Sequence, residues 1–236
     1  MIYSSMNQKF IDKNLRGENM LLYKYRDISG DGFINTQDIF VNQRLYLPEL
    51  KSLNDPNESI AEIQINNPLK VYGNWLEERN RKTGTRIFSL SETHRSSLMW
   101  SHYAASHTGI CIAFDFSGWK DTDSIVLKKV RYVDSPIKLP HNEMNNYVKF
   151  AAHKEVSWSY EKEWRFISQW DKFLSIDSNI IKVIFLGAKF DKTFLQWVEY
   201  WRDVYNPNVE IRQMNFVTCS YELFDDTELG DKTVRM

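Results

Sequence analysis

Short apolar runs separated by turn residues recur along the chain and predict a series of short strands. The run at 21–26 stops at the Asp- and Gly-containing turn 27–32, and the run at 44–47 stops at Pro48. Other apolar runs predict strands at 86–91, 109–116, 125–133, 180–186 and within 209–224. Residues 163–167 alternate polar and apolar positions, which is typical of a strand with one face in the core and the other in water.

Helical spacing occupies fewer segments of the chain. Residues 96–107 place apolar side chains on one side and stop near Gly109, which predicts a helix. Further helices are predicted at 141–158, near 75–84 and after the candidate N-cap Asp191. Because short strands outnumber helices and do not alternate with them, we expect an α+β fold in a single domain, 21–236, behind a polar lead-in at 1–20.

The composition is that of an ordinary globular protein with a surplus of aromatic rings. The 236 residues are 42% hydrophobic and 26% charged, and 30 Lys and Arg against 31 Asp and Glu give a formal net charge of −1. This balance argues against a nucleic-acid coat or a membrane-surface binder, although it is compatible with a local basic groove. The 8 Trp, 12 Tyr and 14 Phe supply rings for a heavy core, for stacking on planar ligands, or for both.

Features that the sequence lacks exclude several classes of protein. The two cysteines, Cys111 and Cys219, have no CxxC spacing, which excludes a thiolate zinc finger and a disulfide scaffold. The chain has neither an apolar leader nor an apolar stretch of membrane-spanning length, so we expect a cytoplasmic protein with no membrane partner. The motifs GxGxxG, HExxH, GxSxG and the P-loop are also absent.

The first predicted strand alternates cations and rings at Tyr23, Lys24, Tyr25 and Arg26. In a strand, both cations face one side and both rings the other. One interpretation places the rings in the core and the cations in water. The other makes Lys24 and Arg26 a binding site for a phosphate or carboxylate, in which the guanidinium binds bidentately.

A second cluster within 98–109 contains Trp100, His102, Tyr103 and His107. The two histidines are five residues apart and not four, as a two-histidine metal site on a helix requires, so we expect no metal there. In one interpretation each histidine is structural and bonds to the backbone. In the other, Trp100, His102 and Tyr103 form the wall of a polar pocket that binds a planar ring.

A third cluster, at 158–166, combines carboxylates, a guanidinium and aromatic residues. Glu161, Glu163 and Arg165 share one face if the strand begins that early. These charges are either an exposed ion ladder, which stabilises little, or a catalytic carboxylate with its orienting neighbours. The surrounding aromatic residues favour the second interpretation.

Together the clusters resemble a widespread bacterial family that is catalogued only as a domain of unknown function and occurs among mobile and defence-associated genes. The matching motifs are Leu-Tyr-Lys-Tyr-Arg at 22–26, Asn-Asp-Pro-x-Glu at 54–58, Phe-Ser-x-Ser at 88–91, Met-Trp-Ser-His-Tyr-Ala-x-x-His-x-Gly at 99–109 and Trp-x-Tyr-Glu-x-Glu-Trp-Arg at 158–165. They are spread over most of the chain, and the central motif is specific.

The order of these motifs is also similar to that of the diphtheria-toxin-like ADP-ribosyltransferases. Those enzymes open with a Leu-Tyr-His-x-Thr strand, whose basic residue holds the adenosine side of NAD. Here Lys24 stands in place of the histidine, with Arg26 two residues later. A later strand of those enzymes presents a tyrosine, matched by Tyr46, and a late strand begins with the catalytic glutamate, matched by Glu163.

This second resemblance implies an ADP-ribosyltransferase-like fold, with split mixed or antiparallel sheets and flanking helices, and NAD as substrate without a metal. Glu163, or else Glu161, would stabilise the positive charge on the ribose in the transition state. Lys24 or Arg26 would bind the pyrophosphate, and Tyr46 or Tyr103 would stack on the nicotinamide ring. The expected NAD-binding residues are Lys24, Tyr25, Arg26, Tyr46, Asn54, Trp100, His102 and Tyr103.

The resemblance further implies a toxin or phage-defence effector that modifies a macromolecular target, protein or nucleic acid, and that an antitoxin or chaperone restrains. Two other functions are compatible with the sequence. The same aromatic and basic groove suits a nucleotide- or RNA-binding protein without NAD chemistry. A metal-independent nuclease that uses His102, His107 and Glu163 is the third candidate.

Overall fold

The computed structural model describes residues 20–53, 55, 61–64, 84–140, 146–217, 220 and 222–228. The strands in this part of the chain are β1 (Leu21–Arg26), β2 (Arg44–Tyr46), β3 (Ala61–Gln64), β4 (Arg86–Ser91), β5 (Ile110–Asp115), β6 (Ile125–Lys129), β7 (Arg131–Val133), β8 (Ile137–Pro140), β9 (His153–Glu155), β10 (Glu163–Ser168), β11 (Phe173–Ser175), β12 (Ile181–Leu186), β13 (Glu210–Phe216) and β14 (Leu223–Asp225). The α-helices are α1 (Gly30–Val41), α2 (Ser97–Tyr103), α3 (Tyr147–Ala151) and α4 (Leu195–Tyr205). Short 3₁₀ helices occupy Leu50–Ser52, Val156–Glu161, Ser178–Ile180 and Lys192–Phe194.

A mixed eight-stranded sheet dominates the fold, with the strand order β14-β13-β12-β5-β1-β4-β10-β6. Strands β12 and β13 are parallel, and the other neighbours in this sheet are antiparallel. Three two-stranded sheets accompany it and pair β2 with β11, β3 with β8, and β7 with β9. The structure thus confirms a mixed fold of helices and strands.

The centre of the large sheet is weakly joined. Strand β1 pairs with β5 along its whole length, and β4 pairs with β10 along its whole length. In contrast, the ladder between β1 and β4 has the single registered pair Tyr23–Ser91. Two well-paired parts of the sheet therefore meet at a narrow junction between β1 and β4. Most backbone groups along this junction are not paired in a ladder between the two strands.

Helices cover both faces of the sheet and bury its apolar side chains. On one face, α1 and α4 pack together, and the rings of Phe40 and Trp201 stack with centroids 5.3 Å apart. On the other face, α2 buries Met99 and Trp100 beside Tyr25. Burial of such large apolar surfaces is the main favourable term in folding, at roughly 25 cal/mol for each Å² removed from water.

The helix predicted at 96–107 ends early, at Tyr103. Ala105, Ser106 and His107 follow with φ of 47°, 54° and 75°, a left-handed conformation that non-glycine residues rarely adopt. The Lys189 N–H donates to the His107 carbonyl, which ties this turn to the segment after β12. The structure confirms a helix in this segment, but this turn replaces its last helical turn.

Two glycines allow that turn to pack against the sheet. A Cβ on Gly109 would lie 2.2 Å from the Arg26 carbonyl oxygen, and one on Gly187 would lie 2.1 Å from the His107 carbonyl oxygen. Both distances are far below van der Waals contact, so any side chain would force the backbones apart. The glycine at the end of the central motif therefore serves packing.

Other predicted elements are corrected by the structure or lie beyond it. The segment predicted as one helix at 141–158 contains α3, then β9, and then the start of the 3₁₀ helix Val156–Glu161, because 153–155 forms a parallel ladder with β7. The helix near 75–84 and the lead-in at 1–20 lie outside the described residues, apart from Gly84 and Met20. No helix in the described ranges is long and apolar enough to cross a membrane.

Candidate active site

A cavity of about 200 Å³ lies at the junction of β1 and β4 and is lined by side chains from all three sequence clusters. Its charged lining residues are Lys24, Lys154, Arg165, Asp55, Glu161 and Glu163. Its aromatic lining residues are Tyr23, Tyr25, Tyr103 and Trp158. Three cations, three carboxylates and several rings thus surround a space suited to a planar group that carries charge.

Glu163 begins β10 and is held in place by cations. Its two carboxylate oxygens accept hydrogen bonds of 2.8 Å from Nε and Nη2 of Arg165, and Nζ of Lys154 lies 3.5 Å from Oε2. The Glu163 N–H donates to the hydroxyl of Tyr132 at 2.8 Å, which fixes the start of the strand. Burial opposes ionisation, but the Arg165 charge and hydrogen bonds outweigh it and lower the pKa of Glu163 to about 2.

Glu161 lies beside Glu163 but in a different electrostatic environment. Its Oε1 accepts a 2.6 Å hydrogen bond from the Tyr103 hydroxyl, and its Oε2 accepts one of 2.6 Å from Lys154 Nζ. Burial raises the pKa of Glu161, and the negative charge of Glu163 adds to this, while Lys154 and Tyr103 act in the opposite direction. The two carboxylates therefore share one lysine and have pKa values shifted in opposite directions.

The structure corrects how these charges were expected to lie. Glu161 ends a 3₁₀ helix, and Lys162 adopts a left-handed φ of 45°, so Glu161 and Glu163 do not share a strand face. Every residue of β10 is buried, and Arg165 has 0% exposure, because β4 and β6 flank the strand and α3 covers it. The half-buried strand and the surface ion ladder are both wrong, and Arg165 Nη1 instead donates to the Ala151 carbonyl at 2.7 Å.

Lys24 reaches across the junction that β1 and β4 leave open. Its Nζ donates to the Ser89 carbonyl at 2.9 Å and lies 4.6 Å from the centre of the Phe88 ring. Burial, together with the charge of Arg26, lowers the pKa of Lys24 to about 7, against the opposing effect of Glu163 and Glu161. An anion bound beside this lysine would favour its charged form.

The remaining expected binding residues are divided between the cavity and other parts of the fold. Tyr25 lines the cavity, and its hydroxyl donates to the Thr93 carbonyl at 2.8 Å. Trp100 is fully buried edge-on against Tyr25 and is a core residue. His102 is exposed and contacts the rings of Tyr103 and Tyr160 outside the cavity lining.

Arg26, Tyr46 and Asn54 complete this set. Arg26 pairs with Ile110 at the end of β1 and does not line the cavity, and burial lowers its pKa to about 10. Tyr46 lies on the small sheet of β2 and β11 against Phe173. Asn54 lies outside the described residues. Of the two cations in the first strand, the structure thus places Lys24 in the cavity.

Some cavity residues were absent from the expected set. Lys154 was missed because its segment was assigned to a helix, whereas β9 carries it to the two carboxylates. Trp158 and Arg165 belong to the third cluster, so the motif itself was the signal that pointed to them. Lys154 Nζ lies 4.7 Å from the Trp158 ring, which joins the lysine to the aromatic lining.

The fold and this site define a mixed α/β protein with a carboxylate-lined cavity at the centre of its sheet. Residues 99–166 match a family model described as Protein of unknown function (DUF2971). The match runs from the central motif to the strand that carries Glu163, and over this segment it bears out the resemblance to a domain-of-unknown-function family. No curated protein and no solved structure matches the chain.

Proposed function

We propose that this protein is an NAD-dependent ADP-ribosyltransferase whose reaction takes place in the cavity at the β1–β4 junction. The observation that carries the proposal is the pair of buried carboxylates, Glu161 and Glu163, which share Lys154 beside several aromatic rings. Two neighbouring carboxyl groups with oppositely shifted pKa values are suited to two different roles in one reaction.

Glu163 is suited to stabilise positive charge on the ribose. In the reaction, the bond between the nicotinamide nitrogen and C1′ of the ribose breaks, and its electron pair leaves with neutral nicotinamide. The ribose then carries oxocarbenium-like positive charge, as in glycoside hydrolysis. Glu163 stays ionised at all physiological pH values because its pKa is about 2, so its field is present when this charge develops.

Glu163 also keeps the capacity to bind the ribose. A carboxylate has about four acceptor positions, of which Arg165 uses two and the Ser89 hydroxyl uses a third. Lys154 lies 3.5 Å from Oε2 and interacts with it weakly. A ribose hydroxyl can therefore donate to Glu163 while Arg165 keeps the carboxylate in a fixed orientation.

Glu161 is suited to accept the proton of the attacking group. The acceptor forms a new bond to C1′ and loses a proton, which its ionised form can take up. A base with a raised pKa binds a proton more strongly than an ordinary glutamate does. Tyr103 and Lys154 hold this carboxylate through two hydrogen bonds of 2.6 Å each.

The charges and rings of the lining fit the two ends of the nicotinamide nucleotide. The nicotinamide ring of NAD is cationic, and its neighbouring phosphate is anionic. Glu161 and Glu163 face the first charge, and Lys24 is the cation proposed to bind the second. Tyr103 or Trp158 supplies an aromatic face for the ring, in place of Tyr46, which lies on another sheet.

The proposal is tested by incubating the purified protein with NAD labelled in its adenylate half, with and without a bacterial extract. Label transferred to protein or nucleic acid supports the transferase. Free ADP-ribose without transfer indicates hydrolysis by the same site. Intact NAD under all conditions contradicts the proposal, and RNA cleavage under these conditions would favour the nuclease in its place.

A further inference from the structure

A second cluster of ligating side chains lies outside the cavity, near the C-terminal edge of the sheet. It consists of His94, Asp225 and Glu228, which each offer a ligand atom within 4.8 Å of the others. His94 follows β4, Asp225 ends β14, and Glu228 lies in the next turn. Nε2 of His94 is 3.6 Å from Oε2 of Glu228 and 3.9 Å from Oδ2 of Asp225.

The turn after β14 fixes the two carboxylates in this arrangement. Oδ1 of Asp225 accepts hydrogen bonds from the N–H groups of Thr227 and Glu228, at 2.9 and 3.1 Å. Oε2 of Glu228 accepts a 3.1 Å hydrogen bond from the N–H of Asp225. Each carboxylate thus has its orientation set by the backbone, and one oxygen of each faces the imidazole.

The imidazole nitrogen near these oxygens has no hydrogen-bond partner at normal distance among the described residues. Nε2 of His94 is buried and has no hydrogen-bond partner in the described part of the chain. The two carboxylate oxygens lie beyond the usual limit of about 3.2 Å for an N–H···O hydrogen bond. A protonated Nε2 would face two carboxylate oxygens only at 3.6 and 3.9 Å, and an unprotonated Nε2 would direct its lone pair at the same two anions. Buried polar atoms without partners are rare in native proteins, and a bound ion is one common explanation.

We propose that His94, Asp225 and Glu228 bind a divalent transition-metal ion of the zinc class. One imidazole nitrogen and two carboxylate oxygens form a donor set that suits Zn²⁺, whereas Ca²⁺ and Mg²⁺ prefer oxygen alone. Zinc–ligand bonds of about 2.0–2.1 Å in a tetrahedron place neighbouring ligand atoms ~3.4 Å apart. The observed separations of 3.6 and 3.9 Å therefore need only a small closure of the side chains.

Arg212 is the charged group that competes for this position. Its Nη1 lies 3.3 Å from Oδ2 of Asp225, and its Nη2 also pairs with Glu210. Asp225 Oδ2 has two lone pairs, so it can bind both the guanidinium and the ion. The guanidinium also holds the carboxylate from behind, as the outer partners of metal ligands commonly do.

The ion would connect β14 to His94, which contacts a residue of the cavity wall. The His94 ring stacks on Phe185 of β12 at 4.3 Å and contacts the ring of Tyr23 at 4.9 Å. Tyr23 also lines the cavity, although His94 does not. The proposed role is thus structural, and it holds whether or not the cavity cleaves NAD.

The inference is tested by metal binding to the full chain after treatment with a chelator and dialysis. Zn²⁺ is titrated in competition with a chromogenic chelator, and Co²⁺ is added separately to record the absorption of its coordination sphere. We expect one ion per chain and a rise in melting temperature that saturates with Zn²⁺. His94→Ala and Glu228→Gln should each weaken binding by at least ~100-fold, because each removes a direct ligand.

Asp226→Asn is the matched control, since Asp226 is an exposed carboxylate in the same turn and outside the proposed ligand set. Its affinity for Zn²⁺ should equal that of the wild type. Circular dichroism of each metal-free variant checks that it is folded. If His94→Ala does not fold, Glu228→Gln alone tests the inference, because the Glu228 side chain is half-exposed. Absence of stoichiometric binding, or equal affinity in wild type and both ligand variants, would overturn the inference.

Discussion

At the scale of single residues, the site depends on how one lysine and one arginine form ion pairs with two carboxylates. Arg165 binds Glu163 bidentately, and Lys154 binds Glu161 at 2.6 Å. Removing one member of such a buried pair typically costs about 3–5 kcal/mol, because the other charge is left unpaired. Glu163 and Arg165 are therefore constrained by stability as well as by any reaction.

The lowered pKa of Glu163 predicts a specific dependence of stability on pH. Its ordinary value of 4.5 applies to the unfolded chain, and the folded value is about 2. The stabilisation from its charge is present above the unfolded pKa and is lost as the pH falls towards 2. In urea unfolding, the stability difference between wild type and Glu163→Gln should be largest above pH 5 and shrink towards pH 2. A difference independent of pH would contradict this.

Lys24 gives a prediction about binding, since it lines the cavity and Arg26 does not. Lys24→Met should weaken NAD binding by ~10- to 100-fold, the range for a hydrogen bond to a charged group. Because the pKa of Lys24 is about 7, NAD affinity should fall as the pH rises above 7 and the ammonium loses its proton. Calorimetric titration at several pH values measures both effects.

Two matched variants control that experiment. Lys182→Met removes an exposed lysine on β12 and should leave NAD affinity unchanged. Arg26→Ala should change affinity less than Lys24→Met does. A larger loss of NAD affinity in Arg26→Ala than in Lys24→Met would instead assign phosphate binding to Arg26.

At the scale of elements, the left-handed turn after α2 depends on glycines that face backbone. Gly187→Ala should lower the free energy of unfolding by at least ~1–3 kcal/mol, because its Cβ would lie 2.1 Å from the His107 carbonyl oxygen. Gly118→Ala is the matched control, since nothing lies within 4 Å of its Cβ position. Denaturant unfolding of both variants measures this, and equal stabilities would show that the turn yields without cost.

The sequence predicts strands better than it predicts this site. Runs such as 21–26 and 86–91 coincide with β1 and β4, because local apolar patterning and turn residues define them. The helix expected at 141–158 failed because β9 is stabilised by a distant strand, β7, which no local pattern reports.

The site residues follow the same division between local and non-local information. The sequence motifs include Glu161 and Glu163, so both were predicted as site residues. The hydrogen bonds that Lys154 donates to both carboxylates depend on β9, which the sequence did not predict. Tyr46 was expected in the site from its order in the chain, and the pairing of β2 with β11 places it elsewhere. His94 lies far from Asp225 and Glu228 in the sequence, so the three residues form no recognisable local motif.

At the scale of the whole molecule, NAD cleavage would harm a cell that makes the protein without restraint. We therefore expect growth arrest when the wild-type chain is expressed in bacteria without an antitoxin or chaperone partner. Expression of Glu163→Gln at the same level should allow growth. Robust growth with abundant folded wild-type protein would count against the toxin or defence role.

The central claim is that the charge and position of Glu163 speed the cleavage of NAD. The most direct measurement is the steady-state rate of NAD cleavage by wild type, Glu163→Gln and Glu163→Asp, with folding verified by circular dichroism. Glu155→Gln is the control, since Glu155 is an exposed carboxylate in the neighbouring segment.

Glu163→Gln should lower the rate by at least ~100-fold, the scale of losing a preorganised electrostatic partner. Glu163→Asp keeps the charge but withdraws it by one methylene, so its rate of NAD cleavage should also be lower than that of the wild type. This variant tests the role of Glu163 if Glu163→Gln does not fold. Glu155→Gln should match the wild type. Wild-type rates in folded Glu163→Gln and Glu163→Asp would contradict the proposed role of Glu163.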